Sequence, residues 1–239
     1  SVNRTASVAR VVMTSSVVAM FGDTREATVL PDGIVTESMW NESSNLTHQP
    51  YAYSKTVAEK EAWRIAGEQS RWDLVTIHPG LVIGPARTRR SDSTSIRIMI
   101  QMGSGTFRRG VPALWLGIVD VRDAAQAHIN ACLNPSAKGR YIVAARSVRL
   151  LDLAHHLLDR FGESYPFPRT QVPKWLVWLM APGVGMTRKY VRFNVGFPIA
   201  FDNTRSRLEL NLQYRPVQDS VIEHFQQLLD DGLIDPSRS

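Results

Sequence analysis

Cysteine is nearly absent from the sequence, since Cys132 is the only one in 239 residues. One thiol excludes a framework of disulfides within the chain, and it favours a reducing, cytoplasmic compartment. No apolar run approaches the roughly 18 residues that a membrane-spanning helix needs, and no signal peptide leads the chain. A hydrophobic content of 44% is enough for one sizeable core with a small appended lobe.

Long runs of one charge are also missing. The net charge is +6, from 28 basic and 22 acidic residues, but the basic residues are scattered and carry no interleaved aromatics. We therefore expect no nucleic-acid surface. The densest cluster, RTRRSD at residues 87–92, is typical of a loop that meets an anionic ligand or only water.

Apolar runs and helical periodicities alternate along the chain. Strands are predicted at Val8–Met13, Asp73–Pro79, Ala113–Val119 and Gly139–Ala144, with GLVIGP as the exit from the second. Helices are predicted at Tyr51–Ser70, residues 96–102, Asp120–Leu133, Leu150–Gly162 and Val217–Leu229. This alternation indicates an α/β fold with a parallel sheet. The Pro-, Trp- and Gly-rich part, Pro166–Phe201, is the natural place for a smaller lobe.

Three polar side chains suggest a chemistry. Tyr51 and Lys55 are four residues apart on a predicted helix, so they share a face. A tyrosine whose phenolate is favoured by a nearby ammonium can give a proton to a carbonyl oxygen, or take it back. A serine hydroxyl at the end of a neighbouring strand would supply the second donor, which is a role for Ser15 or Ser16.

Several segments, in their order along the chain, resemble those of the extended short-chain dehydrogenase/reductase superfamily. The most similar branch contains the dihydroflavonol reductases and cinnamoyl-CoA reductases. These segments are VVMTSSVVAMFG, VTESMW, YAYSK, IHPGLVIGP, IVDVRDAAQAHINACLNPSAKGRYIVA and the C-terminal stretch that begins at FDNTRSRLEL. The resemblance covers nearly the whole chain. Each motif is weak by itself, but their order is specific.

The resemblance implies roles for particular residues. Ser16 matches the catalytic serine, with Ser15 as its structural neighbour, and Tyr51 matches the catalytic acid/base. Lys55 matches the lysine that holds the nicotinamide ribose, so Tyr51 and Lys55 also count as cofactor-binding. The other cofactor-binding matches are Pro79, Gly80, Leu81 and Val82 beside the carboxamide and, more loosely, Ser95 near the pyrophosphate. Tyr53 lies inside the motif but not at its catalytic position.

The implied protein is a Rossmann-type α/β reductase that converts a ketone or aldehyde with NAD or NADP, with NADPH slightly favoured. Residues 1–165 would form the catalytic domain and residues 166–239 mainly a substrate lobe. An apolar or aromatic substrate is expected, and a homodimer through the helix 51–70 is possible by the same analogy. A nucleotide-sugar epimerase or dehydratase, and a non-catalytic relic, remain alternatives.

The family's glycine-rich Gly-x-x-Gly-x-x-Gly turn, which holds the cofactor pyrophosphate, has no counterpart in the sequence. Together with Ser1 in place of Met, this predicts the C-terminal part of a longer enzyme that lacks its first strands. About 100 residues would be absent at the usual domain size. Alone, such a chain would expose a sheet edge, dissolve poorly and bind cofactor weakly.

Other residues have simpler interpretations. His78, at a strand end, is predicted to be a structural histidine, and Asp120 and Asp123 to be helix-capping residues. His155 and His156 lack further ligands at metal spacing, so no metal site is expected. Trp175–Met186 with Arg188, Lys189 and Arg192 suggests either an interfacial membrane anchor or a mobile substrate lobe, and the analogy favours the lobe.

Overall fold

The computed structural model describes residues 2–87 and 93–234. The strands are β1 Arg10–Thr14, β2 Ile34–Val35, β3 Asp73–Pro79, β4 Leu81–Ile83, β5 Val111–Pro112, β6 Trp115–Asp120, β7 Gly139–Val143, β8 Arg146–Arg149, β9 Gln171–Val172 and β10 Ala200–Phe201. The helices are α1 Pro50–Gly67, α2 Thr94–Gly103, α3 Val121–Leu133, α4 Leu150–Phe161, α5 Lys174–Met180, α6 Arg188–Asn194, α7 Thr204–Leu208 and α8 Val217–Asp230. Short 3-10 helices lie at Val2–Arg4, Val17–Ala19, Thr24–Val29, Pro31–Gly33, Gly162–Ser164 and Ala181–Val184.

The central sheet is parallel, with strand order β1-β3-β7, so β1 is an edge strand in the described part of the chain. Successive residues of β3 point to opposite faces of this sheet. Thr76 and His78 contact Glu59 of α1, whereas Val75 and Ile77 join the apolar cluster that includes α3. The two helices therefore cover opposite faces, which confirms the predicted Rossmann-type α/β architecture.

A second sheet was not predicted as such. It has the order β4-β6-β8, in which β4 and β6 are parallel and β8 is antiparallel. The sequence pattern assigned GLVIGP to a strand exit, but Leu81–Ile83 within it forms β4. The change of sheet occurs at Gly80, where an added Cβ would lie 2.2 Å from the Gly117 carbonyl oxygen of β6. Only glycine allows this close passage.

Several boundaries differ by two or three residues from the prediction. The first strand begins at Arg10 rather than Val8, where the Arg10 side chain pairs with Asp73 of β3 at 2.7 Å. The helix predicted to end at Ser70 ends at Gly67. Asp120 caps α3, as predicted, by accepting from the Arg122 N–H at 2.8 Å. Residues 88–92 of the basic cluster lie outside the described residues.

The largest apolar cluster lies between α2, α4, α8 and the second sheet. Aromatic side chains meet there, with the Phe225 ring 5.0–5.3 Å from the rings of Phe161, Tyr165 and Phe167. The C-terminal helix α8 is thus packed into the α/β body. Within the described ranges, no helix combines the length and the apolarity that crossing a membrane requires.

Candidate active site

Ser16 and Pro79, two of the predicted site residues, lie at the carboxyl edge of the central sheet. The Ser15 N–H donates to the Ile77 carbonyl at 2.8 Å, so the chain after β1 stays beside the end of β3. Ser16 follows directly, and Pro79 ends the neighbouring strand. Ligands of open α/β sheets bind at this edge.

Helix α1 begins at the same edge. Gln49 adopts a left-handed conformation with φ 54°, and Pro50 then occupies the first turn, where a missing N–H costs nothing. Tyr51 is 63% exposed. One turn later, the Lys55 Nζ donates to the Thr14 carbonyl oxygen at 3.4 Å, which brings this face of α1 over the end of β1.

The two adjacent serines have different surroundings. Ser15 is buried, and its hydroxyl donates to Glu59 Oε2 at 2.6 Å. Ser16 is half-buried and caps the 3-10 helix Val17–Ala19, with its Oγ accepting from the Val18 N–H at 3.4 Å. That short helix packs against α1. Ser16 is therefore the serine whose hydroxyl retains capacity for a ligand.

Glu59 is a fully buried carboxylate beneath this edge. It lies 2.8 Å from Arg140 Nε of β7, 3.1 Å from His78 Nε2 and 3.2 Å from Thr76 Oγ1 of β3. Burial raises its pKa, but hydrogen bonds from His78, Arg140 and Ser15 outweigh that effect and hold the pKa at about 2. The charged form is therefore the stable one in the fold.

His78 is structural, as the sequence predicts. Its side chain is fully buried, with Nδ1 3.1 Å from the Ser16 carbonyl and Nε2 3.0 Å from Thr76 Oγ1. Through His78 and Ser15, the Glu59 carboxylate holds the backbone on both sides of Ser16. Because Glu59 stands four residues after Lys55 and eight after Tyr51, it anchors the face of α1 that carries both.

The VTESMW motif, Val35–Trp40, contacts the Arg140 guanidinium that pairs with Glu59. The guanidinium donates to the Glu37 carbonyl at 2.7 Å and lies 3.9 Å from the centre of the Trp40 ring. The Glu37 carboxylate accepts from the Ile142 N–H at 3.1 Å. This motif therefore supports the cation that neutralises Glu59.

The remaining predicted cofactor residues lie on two elements. Pro79 ends β3, and Gly80 donates its N–H to the Val143 carbonyl at 3.1 Å. Leu81 and Val82 pair with Ile118 and Val119 in the second sheet. Ser95 stands in the first turn of α2, where its hydroxyl lies 3.2 Å from that of Ser93.

A network around Asp23 joins the start of α1 to the segment after residue 165. The buried Asp23 carboxylate lies 2.9 Å from His48 Nε2 and accepts from Gln49 at 2.9 Å and from Asn194 of α6 at 2.6 Å. Asn194 Oδ1 in turn accepts from the Thr24 N–H at 2.9 Å. The segment that precedes Tyr51 is thus fixed to α6.

A cavity of about 340 Å³ opens beside Tyr51. Its lining residues come from Val18, residues 47–52, residues 185–187 and Tyr190. Burial, and then the charge of Asp23, raises the pKa of Tyr190 above its ordinary value. The cavity combines the exposed Tyr51 side chain with a mixture of apolar and polar lining residues, as small-molecule sites do.

Sequence reasoning did not identify Glu59, Asp23 or Asn194. The spacing of Glu59 from Lys55 was a usable signal, since both must share a helix face. The partners of Asp23 are 25–171 residues away in the chain, and no local pattern predicts such contacts. Asp123 was assigned to helix capping, but it also accepts from the Arg215 N–H at 2.8 Å, which ties α3 to the loop before α8.

Comparison with known proteins finds relatives of this chain. A family model described as the NAD dependent epimerase/dehydratase family matches residues 1–144. Cinnamoyl-CoA reductase 1 of Petunia hybrida is 31% identical over 231 residues, which are 95% of this chain and 61% of that enzyme. An anthocyanidin reductase of Vitis vinifera is 32% identical over 171 residues, covering 67% of this chain and 49% of that enzyme.

Solved structures also resemble this chain. Gre2 from Candida albicans superposes with a TM-score of 0.69 at 25% identity, over 94% of this chain and 66% of that protein. The chain spans about half to three fifths of the length of the curated relatives that it matches. It covers 61% of the petunia enzyme and 46% of Cinnamoyl-CoA reductase 1 from Arabidopsis thaliana. Because the family model covers more than half of its residues, the chain belongs to the NAD dependent epimerase/dehydratase family.

Proposed function

We propose that this chain carries the reacting part of an NAD(P)-dependent reductase that converts a ketone or aldehyde to an alcohol. The observation that carries the proposal is the Lys55 ammonium at 3.4 Å from the Thr14 carbonyl, since it brings Lys55 to the strand end that Ser16 follows. Relatives at 31–32% identity are named as cinnamoyl-CoA and anthocyanidin reductases, which supports the reaction class.

The donor groups at this edge fit the nicotinamide end of a dinucleotide. Lys55 and Tyr51 are suited to hold the ribose hydroxyls, and the backbone of residues 79–82 to lie along the carboxamide. Ser95 would contribute near the pyrophosphate. A Gre2 structure from Candida albicans, at 25% identity, is described as a complex with NADPH, which supports NADPH as the cofactor. When bound, the cofactor supplies the hydride.

In the proposed reaction, the protein contributes three groups. The Tyr51 hydroxyl donates a proton to the carbonyl oxygen of the substrate, or accepts it in the oxidation of an alcohol. The Ser16 hydroxyl donates a second hydrogen bond to the same oxygen. The Lys55 ammonium would hold the ribose hydroxyls and so fix the nicotinamide beside Tyr51.

The cavity beside Tyr51 supports an apolar or aromatic carbonyl substrate. Met186 and Tyr190 come from the segment after residue 165, so this segment would form a substrate lobe over the carboxyl edge of the sheet. The proposed division into residues 1–165 and 166–239 follows this use of the chain, although α8 packs into the main body.

The test is reduction of a panel of aromatic and aliphatic aldehydes and ketones by the longest polypeptide that contains these residues, followed as NADPH and NADH oxidation. We expect Tyr51→Phe to lower kcat/KM by about a thousandfold, as for the loss of a general acid. Tyr53→Phe is the matched control on the same helix, and it should leave kcat/KM within about threefold of the original.

Equal losses in the two tyrosine variants, or none in Tyr51→Phe, would remove Tyr51 from the mechanism. Turnover of nucleotide sugars without carbonyl reduction would favour the epimerase or dehydratase alternative. A fluorescence titration of the 239-residue chain with NADPH and NADH then shows whether these residues bind cofactor alone.

A further inference from the structure

The helix α5 and the 3-10 helix Ala181–Val184 that follows it expose an unusual amount of apolar surface. Five large side chains, each 42–68% exposed, lie here: Trp175, Trp178, Leu179, Met180 and Val184. Contiguous exposed apolar surface of this kind marks an interaction site in most proteins. We call residues 174–184 the tryptophan face.

The tryptophan face is not the outer side of an ordinary amphipathic helix. Val177 and Ala181, one turn apart, are buried against Val191 and Val195. On the opposite side, Trp175, Trp178, Leu179 and Pro182 recur at helical spacing and are exposed. A helix that is apolar on both sides is typical of one that a second apolar surface covers.

The tryptophan face is also separate from the cavity beside Tyr51. That cavity is lined from this part of the chain by residues 185–187 and Tyr190, and by none of the five exposed side chains. A substrate held against Tyr51 in that cavity would therefore leave Trp175 and Trp178 uncovered.

Positive charge surrounds the tryptophan face. Residues 164–201 include Arg169, Lys174, Arg188, Lys189 and Arg192 and no acidic residue, and of these Arg169 pairs with Glu163 just outside the range. The Arg188 guanidinium lies 4.4 Å from the centre of the Trp178 ring, and the Lys174 ammonium lies 4.2 Å from that of Phe197. Stacked in this way, the cations stand beside the apolar side chains.

We propose that the tryptophan face binds the surface of an anionic phospholipid bilayer, with α5 lying in the plane of the interface. Tryptophan, leucine and methionine side chains would enter the boundary between headgroups and acyl chains, while the basic residues meet the phosphates. A second copy of the chain is a poorer occupant, because a two-fold interface brings the same basic rim against itself.

The first experiment is sedimentation of the longest polypeptide that contains these residues, without vesicles as a control, with vesicles of phosphatidylcholine alone, and with vesicles of phosphatidylcholine mixed with phosphatidylserine. We expect binding to the mixed vesicles that weakens as salt is added. The double variant Arg188→Glu with Lys189→Glu should lower this partitioning by about thirtyfold or more. Lys138→Glu with Arg146→Glu, two exposed basic residues outside the segment, is the charge-matched control and should lower it far less.

The second experiment tests the apolar part. Trp175→Ser with Trp178→Ser should abolish binding to the mixed vesicles at moderate salt, with an unchanged circular dichroism spectrum. Leu133→Ser with Leu208→Ser removes side chains that are 75% and 77% exposed elsewhere, and it should leave binding intact. Neither experiment requires cofactor or turnover, so the result is independent of the proposed reaction.

Three results would overturn the proposal. The first is no binding to either kind of vesicle, and the second is equal binding to neutral and anionic vesicles. The third is a dimer in analytical ultracentrifugation that the tryptophan variant dissociates, since a second copy would then cover the tryptophan face.

Discussion

Two regions of this molecule break, in opposite ways, the rule that charged side chains are exposed and apolar side chains are buried. Beneath Ser16, the fold buries a full charge, with the Glu59 carboxylate inaccessible to solvent and Arg140 nearly so. In the tryptophan face, it leaves two indole rings in water. Buried charge and exposed apolar surface are the informative exceptions to the rule that apolar residues lie inside.

The difference shows what each region is built for. A buried ion pair contributes little net stability compared with apolar residues of the same shape, but its removal is costly. Such a pair therefore fixes the position of elements: Glu59 joins α1 to β3, to β7 and, through Ser15, to the residue that follows β1. The exposed apolar side chains contribute little to the core, so we assign the tryptophan face to the binding proposed above.

The largest effect is expected when Glu59 alone loses its charge. Glu59→Gln leaves Arg140 buried without an anion, which should lower the free energy of unfolding by about 3–5 kcal/mol. Urea denaturation measures this value. Glu61→Gln is the control, because Glu61 is about half exposed and pairs with Arg64 on the surface, so its loss should cost far less. Similar losses in both variants would contradict the comparison.

Acid should act on the same carboxylate. Since the pKa of Glu59 is lowered from 4.5 to about 2 in the fold, its contribution is present above pH 4.5 and is lost as the pH falls towards 2. The expected loss is about 3 kcal/mol. Burial also lowers the pKa of His224 to about 4, which costs stability between pH 6.5 and 4.

The difference between the original chain and Glu59→Gln isolates the carboxylate, because His224 is common to both. The difference in the free energy of unfolding between the original chain and Glu59→Gln should shrink as the pH falls from 4.5 to 2. A difference that stays constant over this range would show that Glu59 is not the titrating group.

A smaller effect should separate the two serines. Ser15→Ala removes a buried hydrogen bond to a carboxylate and should cost about 1.5–3 kcal/mol of stability. Ser16→Ala removes only the weak cap at 3.4 Å and should cost about 0.5 kcal/mol. In the reductase assay the order should reverse, with the larger loss of kcat in Ser16→Ala. If Ser15→Ala lost more kcat than Ser16→Ala under conditions in which both variants are folded, Ser15 and not Ser16 would be the catalytic serine.

The smallest effect is expected in the tryptophan face. Trp175→Ser should change the free energy of unfolding by less than about 0.5 kcal/mol, because its side chain is 68% exposed. Trp72→Ser is the buried counterpart, since Trp72 is 8% exposed and donates to Asn3 at 2.8 Å. It should cost about 3–5 kcal/mol. Thermal or urea unfolding of the two variants gives the comparison directly.

The predictable part of the fold was the part that local patterns encode. The buried strand Asp73–Pro79 was predicted to the residue, and the helices from Pro50 and Val121 to within three, because apolar period and capping residues mark them. β4 was missed because three residues between two glycines carry too little pattern. The partners of Glu59 were beyond reach, since they come from strands that are far apart in sequence.

The candidate site divides in the same way. Tyr51, Lys55 and Ser16 stand in short motifs, and the resemblance identified them. Asp23 and Asn194 stand in no motif, and their meeting depends on how α6 packs. The roles of all these residues stay predictions until the variants are measured.

The Asp23 network has a thermodynamic consequence. The Asp23 carboxylate contacts His48 and Gln49, just before α1, and also accepts a hydrogen bond from Asn194, at the end of α6. Ordering either side of this contact lowers the entropy cost of ordering the other, and such linkage is reciprocal. A ligand that favours the ordered form of α6 therefore also favours the ordered start of α1, and ordering the start of α1 strengthens the binding of that ligand by the same coupling free energy.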